Sequence, residues 1–276
     1  MRVGLTLALL LSTTAAWAGP DLAGMRQVGG DEFDAPVFDP SKWLLGVEPN
    51  GNQWGSSAYF VTAKPGDATL VPKVYIQGDG NLTIRANYNA DFKDPVAWNQ
   101  KWFSGLIIPK GRDGRVESAA FRQGCAEIRA KLPLGAGTWP GFWALNLASM
   151  GPNGDPLGNQ ELDGLEHYGH RPMAFNSGLI DWANKDTRTN HVGAAVTLAA
   201  DPTAAFTTYD FCLTATSMVT WVDGVQKATL PLYRPDTMGK VFWMFNLAMG
   251  SGWPITVPPS GSYDLQIDYV RIFSAD

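Results

Sequence analysis

Gly124-Cys125-Ala126-Glu127-Ile128-Arg129-Ala130-Lys131-Leu132 decides the fold class of this chain. Ala126, Ile128, Ala130 and Leu132 fall on one side of the backbone and Glu127, Arg129 and Lys131 on the other. That period of two belongs to a strand with one dry and one wet face. The same period recurs outward from this stretch. Asn81 to Ala86 alternates after the turn Gly78-Asp79-Gly80, and Met218 to Leu230 passes through Asp223-Gly224, a two-residue hairpin signal. Leu265, Ile267 and Tyr269 alternate before Val270-Arg271-Ile272-Phe273. No window carries a 3.6-residue apolar period of helical length. Many strands, Gly/Pro turns and no helix–strand alternation specify an all-β sandwich of two antiparallel sheets.

Composition narrows the class further. Met1-Arg2 leads into an apolar run from Val3 to Leu11, and Ala16-Trp17-Ala18 supplies an A-x-A cleavage pattern. Residues 1–18 read as a secretory signal peptide, because the run is too short to span a bilayer. Residues 19–276 then form one domain, without linker, charge block or repeat, exported to the periplasm or the medium and expected to be a monomer. A net charge of −5 with 17% charged residues argues against nucleic acid or an anionic membrane as partner. Eleven tryptophans in so weakly charged a chain suit a neutral, stackable ligand such as a sugar, although core packing also uses tryptophan. Cys125 and Cys212 lie in strand patterns of an exported chain, which leaves a disulfide and two separate buried thiols both open. The two cysteines and His167, His170 and His191 show no zinc-ligand spacing.

Chemistry concentrates in Glu161-Leu162-Asp163-Gly164-Leu165-Glu166, three carboxyls in six residues. Carboxylates this close repel, so the arrangement suits a site that needs one protonated and one ionised carboxyl. Strand parity puts Glu161 and Asp163 on one face and Glu166 on the other, and one extra residue in the ladder, a β-bulge, restores all three to one face. Gly164 marks the place for it. With the bulge absorbed, Glu161 and Glu166 stand about four strand positions apart, ~13 Å between backbones. Side chains leaning together then leave their carboxyls ~5–6 Å apart, nearer the ~5–5.5 Å of a retaining glycosidase than the ~6.5–9.5 Å of an inverting one. The loop from Met150 to Gln160, rich in Gly and Pro, precedes this strand and is placed to shape a cleft.

Five segments in order carry a family resemblance. They are Gly124 to Pro133 (G-x-x-E-x-R-x-K-L-P), Gly137-Thr138-Trp139-Pro140-Gly141-Phe142-Trp143, the acidic segment, Trp221-Val222-Asp223-Gly224 followed by Asn246 to Pro254, and Ile267 to Ile272. Together they resemble glycoside hydrolase family 16, the laminarinase, lichenase, agarase and carrageenase group, over essentially the whole chain after residue 18. The resemblance implies a β-jelly roll with an open concave cleft for a polysaccharide. It implies Glu161 as nucleophile, Glu166 as general acid/base with its pKa raised by neighbouring carboxylates, and Asp163 tuning the nucleophile. The spacing E-x-D-x-x-E is the bulged, laminarinase-like form, which favours a β-1,3- or mixed β-1,3-1,4-glucan. A transglycosylase, a red-algal galactan hydrolase and an inactive glucan-binding protein are the alternatives.

Trp139, Trp143, Asn246 and Trp253 match cleft positions of that family, and Trp182 is a further sugar platform. Arg129, with Glu127, should border the cleft. No cofactor is expected in catalysis, but a structural calcium on the convex side would draw on Asp268. The chain departs from many relatives at Ile180, where they carry His, at Thr207-Thr208-Tyr209, where they carry His-Thr-Tyr, and at Thr214, where they carry Trp.

Overall fold

The computed structural model describes residues 19–46, 55–95, 99–150, 159–184, 187–250 and 254–276. The segment 1–18 read as a signal peptide, most of the Met150–Gln160 loop and Trp253 lie outside these residues. Seventeen strands fall within them. In chain order they are β1 (Arg26–Asp31), β2 (Trp43–Leu45), β3 (Ala58–Phe60), β4 (Tyr75–Gly78), β5 (Asn81–Tyr88), β6 (Trp102–Ser104), β7 (Leu106–Pro109) and β8 (Gly124–Lys131). There follow β9 (Thr138–Asn146), β10 (Asn159–His167), β11 (Ala174–Asn184), β12 (Thr187–Thr197), β13 (Thr207–Leu213), β14 (Ser217–Val222), β15 (Val225–Pro231), β16 (Val241–Met249) and β17 (Tyr263–Ser274). One turn of α-helix, Val71–Val74, and short 3-10 turns complete the described secondary structure.

The strands form the two sheets of a jelly-roll sandwich. One is ten-stranded, running β15-β14-β13-β8-β17-β5-β6-β3 with β1 beside β17 and β4 beside β5. The other is seven-stranded, in the order β12-β11-β10-β9-β16-β7-β2. Local chemistry explains the connections. Asp79-Gly80 joins β4 to β5 and Asp223-Gly224 joins β14 to β15, with positive φ at both residues of each pair (53° and 74°; 46° and 72°). Two residues of positive φ make the turn whose twist matches that of a hairpin.

The main core lies between the sheets. Ala126, Ile128 and Ala130 of β8 are fully buried there, while Glu127, Arg129 and Lys131 face outward, as their alternation requires. Phe211 stacks on Trp243 at 5.2 Å, and Phe142 packs edge-on to Tyr209 at 5.9 Å. Burying each such ring contributes roughly 1.5–3 kcal/mol. β16 is buried along its whole length because both of its faces are covered. Val241, Trp243, Phe245, Leu247 and Met249 face the main core. Phe242, Met244 and Ala248 join Leu106, Ile108, Phe60, Val116 and Ala120 in a second apolar cluster on the opposite side of the sheet.

The outer face of the ten-stranded sheet holds Arg129, which the sequence reading set at the border of the cleft. Arg129 does not border a cleft on the seven-stranded sheet. It pairs with Asp268 of β17 and stands 5.2 Å from the ring centroid of Phe206. Asp268 is thereby committed to a guanidinium, and among the described residues no three His, Cys, Asp or Glu side chains converge on a metal position. Nothing in this arrangement supports the calcium expected at Asp268. Cys125 and Cys212 are direct cross-strand partners on β8 and β13, 4.1 Å apart at Cα, and are joined as a disulfide. The tertiary register thus decides between the two states that the sequence left open.

Asp210, also opposite Glu127 on this sheet, is almost wholly buried, with one carboxylate oxygen lacking a hydrogen-bond partner. Burial first, then the Glu127 charge, pushes its pKa up to about 8. A carboxyl raised from its ordinary value stabilises the fold fully at low pH and loses that contribution as pH climbs toward 8. Asp210→Asn should therefore match the parent in Tm near pH 4 and exceed it increasingly up to pH 9. An equal Tm difference at both ends would refute this.

Candidate active site

The six residues Glu161–Glu166 form the middle of β10, between β9 and β11. Leu162 and Leu165 are wholly buried in the main core. Two apolar anchors three residues apart cannot share a face on a regular strand, and the register shift between Asp163 and Leu165 reconciles them. The shift is the bulge that parity demanded, and it turns Glu161, Asp163 and Glu166 to the face opposite the core. Gly164 serves it through space. A Cβ there would lie 2.5 Å from Cδ1 and 2.6 Å from Cγ of Phe211.

Because paired residues on neighbouring strands share a face, the pairing lays out the concave surface in rows. Leu145, Glu161, Ile180 and His191 form one row, and Trp143, Asp163, Gly178 and Gly193 the next. Gly141, Glu166, Asn176 and Ala195 form the third. A cleft opens above them, lined by Phe60, Trp139, Trp143, Glu161, Asp163, Glu166, Asn246 and Ala248. The second apolar cluster closes the floor on the β16 side.

The carboxyls have distinct surroundings. Glu161 accepts a hydrogen bond from Trp182 Nε1 at 2.8 Å, and Glu166 accepts one from the Tyr168 hydroxyl at 3.1 Å. Asp163 is 5% exposed. Burial raises the pKa of all three. It takes Glu161 to about 7, opposed by the Trp182 N–H, increased by the Glu166 charge and opposed by Arg188. Asp163, fully enclosed and beside both glutamates, is pushed well above the usual carboxylate range. Glu166 is raised by burial, and the Tyr168 and Trp139 donors oppose the rise. Loss of water, rather than the neighbouring carboxylates, is the main cause at Glu166, which corrects the expectation from sequence.

Of the residues expected at a sugar site, Trp139, Trp143 and Asn246 line the cleft, and Trp182 reaches it through its hydrogen bond to Glu161. Trp143 is 8% exposed and donates Nε1–H to Asn246 Oδ1 at 2.7 Å, so the pair builds floor rather than platform. Trp139 is half-buried and stacks on Tyr168, whose ring stacks in turn on His170. Sequence reasoning missed Tyr168, Asn176, Arg188 and His191. Tyr168 was within reach of it, two residues beyond Glu166 on the same strand parity. The other three enter through the β10–β11–β12 register, for which the sequence carries no local signal.

Residues 105–271, more than half of the chain, match glycosyl hydrolases family 16, and the chain belongs to that family. It is 27% identical to glucan endo-1,3-beta-glucosidase A1 of Niallia circulans over 92% of this chain and 38% of that protein. It is also 27% identical to a beta-glucanase of Rhodothermus marinus over 89% of this chain and 84% of that one. The chain thus spans well under half of the first relative and most of the second. Among solved structures, SCLam, a non-specific endo-beta-1,3(4)-glucanase from the same family, superposes with a TM-score of 0.73 at 25% identity, covering 94% of each chain.

The Trp182 N–H stabilises the ionised form of Glu161. Trp182→Phe should raise the Glu161 titration midpoint above about 7 by roughly one pH unit, read from carboxyl ¹³C NMR. An unmoved midpoint would show that the hydrogen bond does not tune Glu161.

Proposed function

We propose that this protein is a retaining endo-β-glycosidase acting on a β-1,3- or mixed β-1,3-1,4-glucan. The observation that carries the proposal is the bulge that presents Glu161, Asp163 and Glu166 on one face at the floor of an open cleft. In the first step the Glu161 carboxylate attacks the anomeric carbon while Glu166 delivers its proton to the glycosidic oxygen. The C–O bond breaks, the leaving sugar departs as an alcohol and a glycosyl ester forms on Glu161. In the second step the Glu166 carboxylate takes a proton from water as that water attacks the same carbon. The ester bond breaks and Glu161 regains its charge. Both steps balance with two carboxyls and one water.

The surroundings suit these roles. Glu161 is held by Trp182 beside Asp163, and a protonated Asp163 can donate to it and favour its ionised form. Glu166 is the less enclosed of the glutamates, so a sugar over it removes its remaining water and raises its pKa toward that of a neutral-pH acid. Trp139 and Trp182 offer ring faces to pyranose C–H groups. An open cleft admits the interior of a chain, which supports endo cleavage. The glucan assignment is supported by relatives named as a glucan endo-1,3-beta-glucosidase and a beta-glucanase and by a solved structure named as an endo-beta-1,3(4)-glucanase, and export by the signal-like segment Met1–Ala18.

A reducing-sugar screen over laminarin, lichenan, agarose, carrageenan and xyloglucan should give the highest rate on laminarin or lichenan. Glu161→Gln and Glu166→Gln should each lower that rate at least about a thousandfold. ¹H NMR of the earliest products should show the β-anomer. Undiminished activity in Glu161→Gln, or α-anomer first, would overturn the mechanism. A preference for agarose or carrageenan would overturn the glucan assignment and leave the mechanism standing.

A further inference from the structure

The bulge in β10 has a counterpart on the next strand. Pairing runs Asp163 to Gly178 and Glu166 to Asn176, so Gly164 and Leu165 together stand opposite Ser177. Ser177 shares its side of β11 with Phe175 and Leu179, which lie in the main core. It is wholly buried, and its hydroxyl lies 3.2 Å from the backbone oxygen of Asp163 and 3.0 Å from the hydroxyl of Thr220. Thr220 belongs to β14 of the opposite sheet and is also wholly buried. A carbonyl cannot donate, so the Ser177 proton goes to Asp163 and Thr220 donates to Ser177. The bonds therefore run in one direction, from the far sheet to the residue at which the ladder shifts. Thr220 is paired with Phe211, the ring that fills the space beside Gly164. One cross-strand pair of the far sheet thus meets the bulge twice, with an apolar contact at Gly164 and a polar one through Ser177.

Two hydroxyls facing each other in an apolar core add little to stability by themselves, because apolar side chains of similar shape would fill the same space at little cost. What they supply is a donor to Asp163 at a point where a bulge disrupts the ladder. We propose that Ser177, braced by Thr220, is a positioning residue for Asp163, holding the bulge in the register that keeps Asp163 on the cleft face between Glu161 and Glu166. Without that anchor the extra residue can migrate along β10, and a shift of one residue moves a side chain to the other face. The kinetic consequence rests on the retaining-hydrolase reading; the placement of Asp163 does not.

The test measures kcat and KM on the best glucan, Tm and the Asp163 carboxyl ¹³C titration in Ser177→Ala, Thr220→Val, Thr220→Ser and the Ser177→Ala/Thr220→Val double variant. Asp163→Asn identifies the resonance. Burial is the main reason that the Asp163 pKa is raised, and Glu161 and Glu166 on its own strand add to the rise. His191 of β12 stands across Gly178 from the carboxyl, and none of these groups is altered. Ser177→Ala should loosen the bulge, admit water and bring the midpoint down by on the order of one pH unit. Its kcat should fall about tenfold or more, with KM within about twofold of wild type. Thr220→Val should move midpoint and kcat in the same direction but less, and Thr220→Ser, which keeps the hydroxyl, should recover the wild-type midpoint. The double variant should regain Tm over Ser177→Ala, because no buried Thr220 hydroxyl is left unpaired, yet keep the lowered midpoint and kcat. A Tm loss with unmoved midpoint and kcat would assign the pair to packing and overturn the proposal. If Ser177→Ala does not fold, an unmoved midpoint in Thr220→Val overturns it. A shifted midpoint in a protein inactive on every glycan would support the placement of Asp163 and refute the hydrolase reading.

Discussion

Three carboxyl groups must share one face of one strand, and a regular strand cannot place them there. β10 meets this constraint with one inserted residue, and the insertion works only because Leu162 and Leu165 are both drawn into the core on the other side. Hydrophobic burial of two leucines thus fixes the direction of three acids. Phe211, stacked on Trp243 in the opposite sheet, occupies the volume where a side chain at 164 would stand, so glycine at that position belongs to the sandwich packing as much as to the strand. A site assembled this way inherits the rigidity of the core beneath it.

Desolvation then decides the chemistry. Each carboxyl is raised above its ordinary value first by loss of water, and the indole and phenol donors of Trp182, Trp139 and Tyr168 moderate that rise one group at a time. Aromatic residues in this cleft therefore act in two ways. Their ring faces suit sugars and their polar edges tune acids, which explains how a weakly charged chain sustains a concentrated acid cluster. The convex face shows the same physics without a cleft. Asp210 is buried opposite Glu127 and raised by enclosure, while Glu127 is held by Arg271.

Membership of glycosyl hydrolase family 16 accounts for the sandwich and the order of the motifs. The wall beyond Asp163 is built from Ile180, the Gly178–Gly193 pair and His191 on β11 and β12.

The sequence by itself determined the fold class, because period-two alternation and Asp-Gly turns are local and survive without knowledge of partners. It also determined the need for a bulge, since parity is a property of one strand, and it located Glu161, Asp163 and Glu166. It misplaced Arg129, whose strand lies in the sheet away from the cleft and whose charge is met there by Asp268. Alternation tells which residues share a face but not which sheet that face belongs to. The Cys125–Cys212 bond, the Trp182 and Tyr168 contacts and the approach of His191 were decided only by tertiary structure, because each depends on the register or the close packing of residues far apart in the chain.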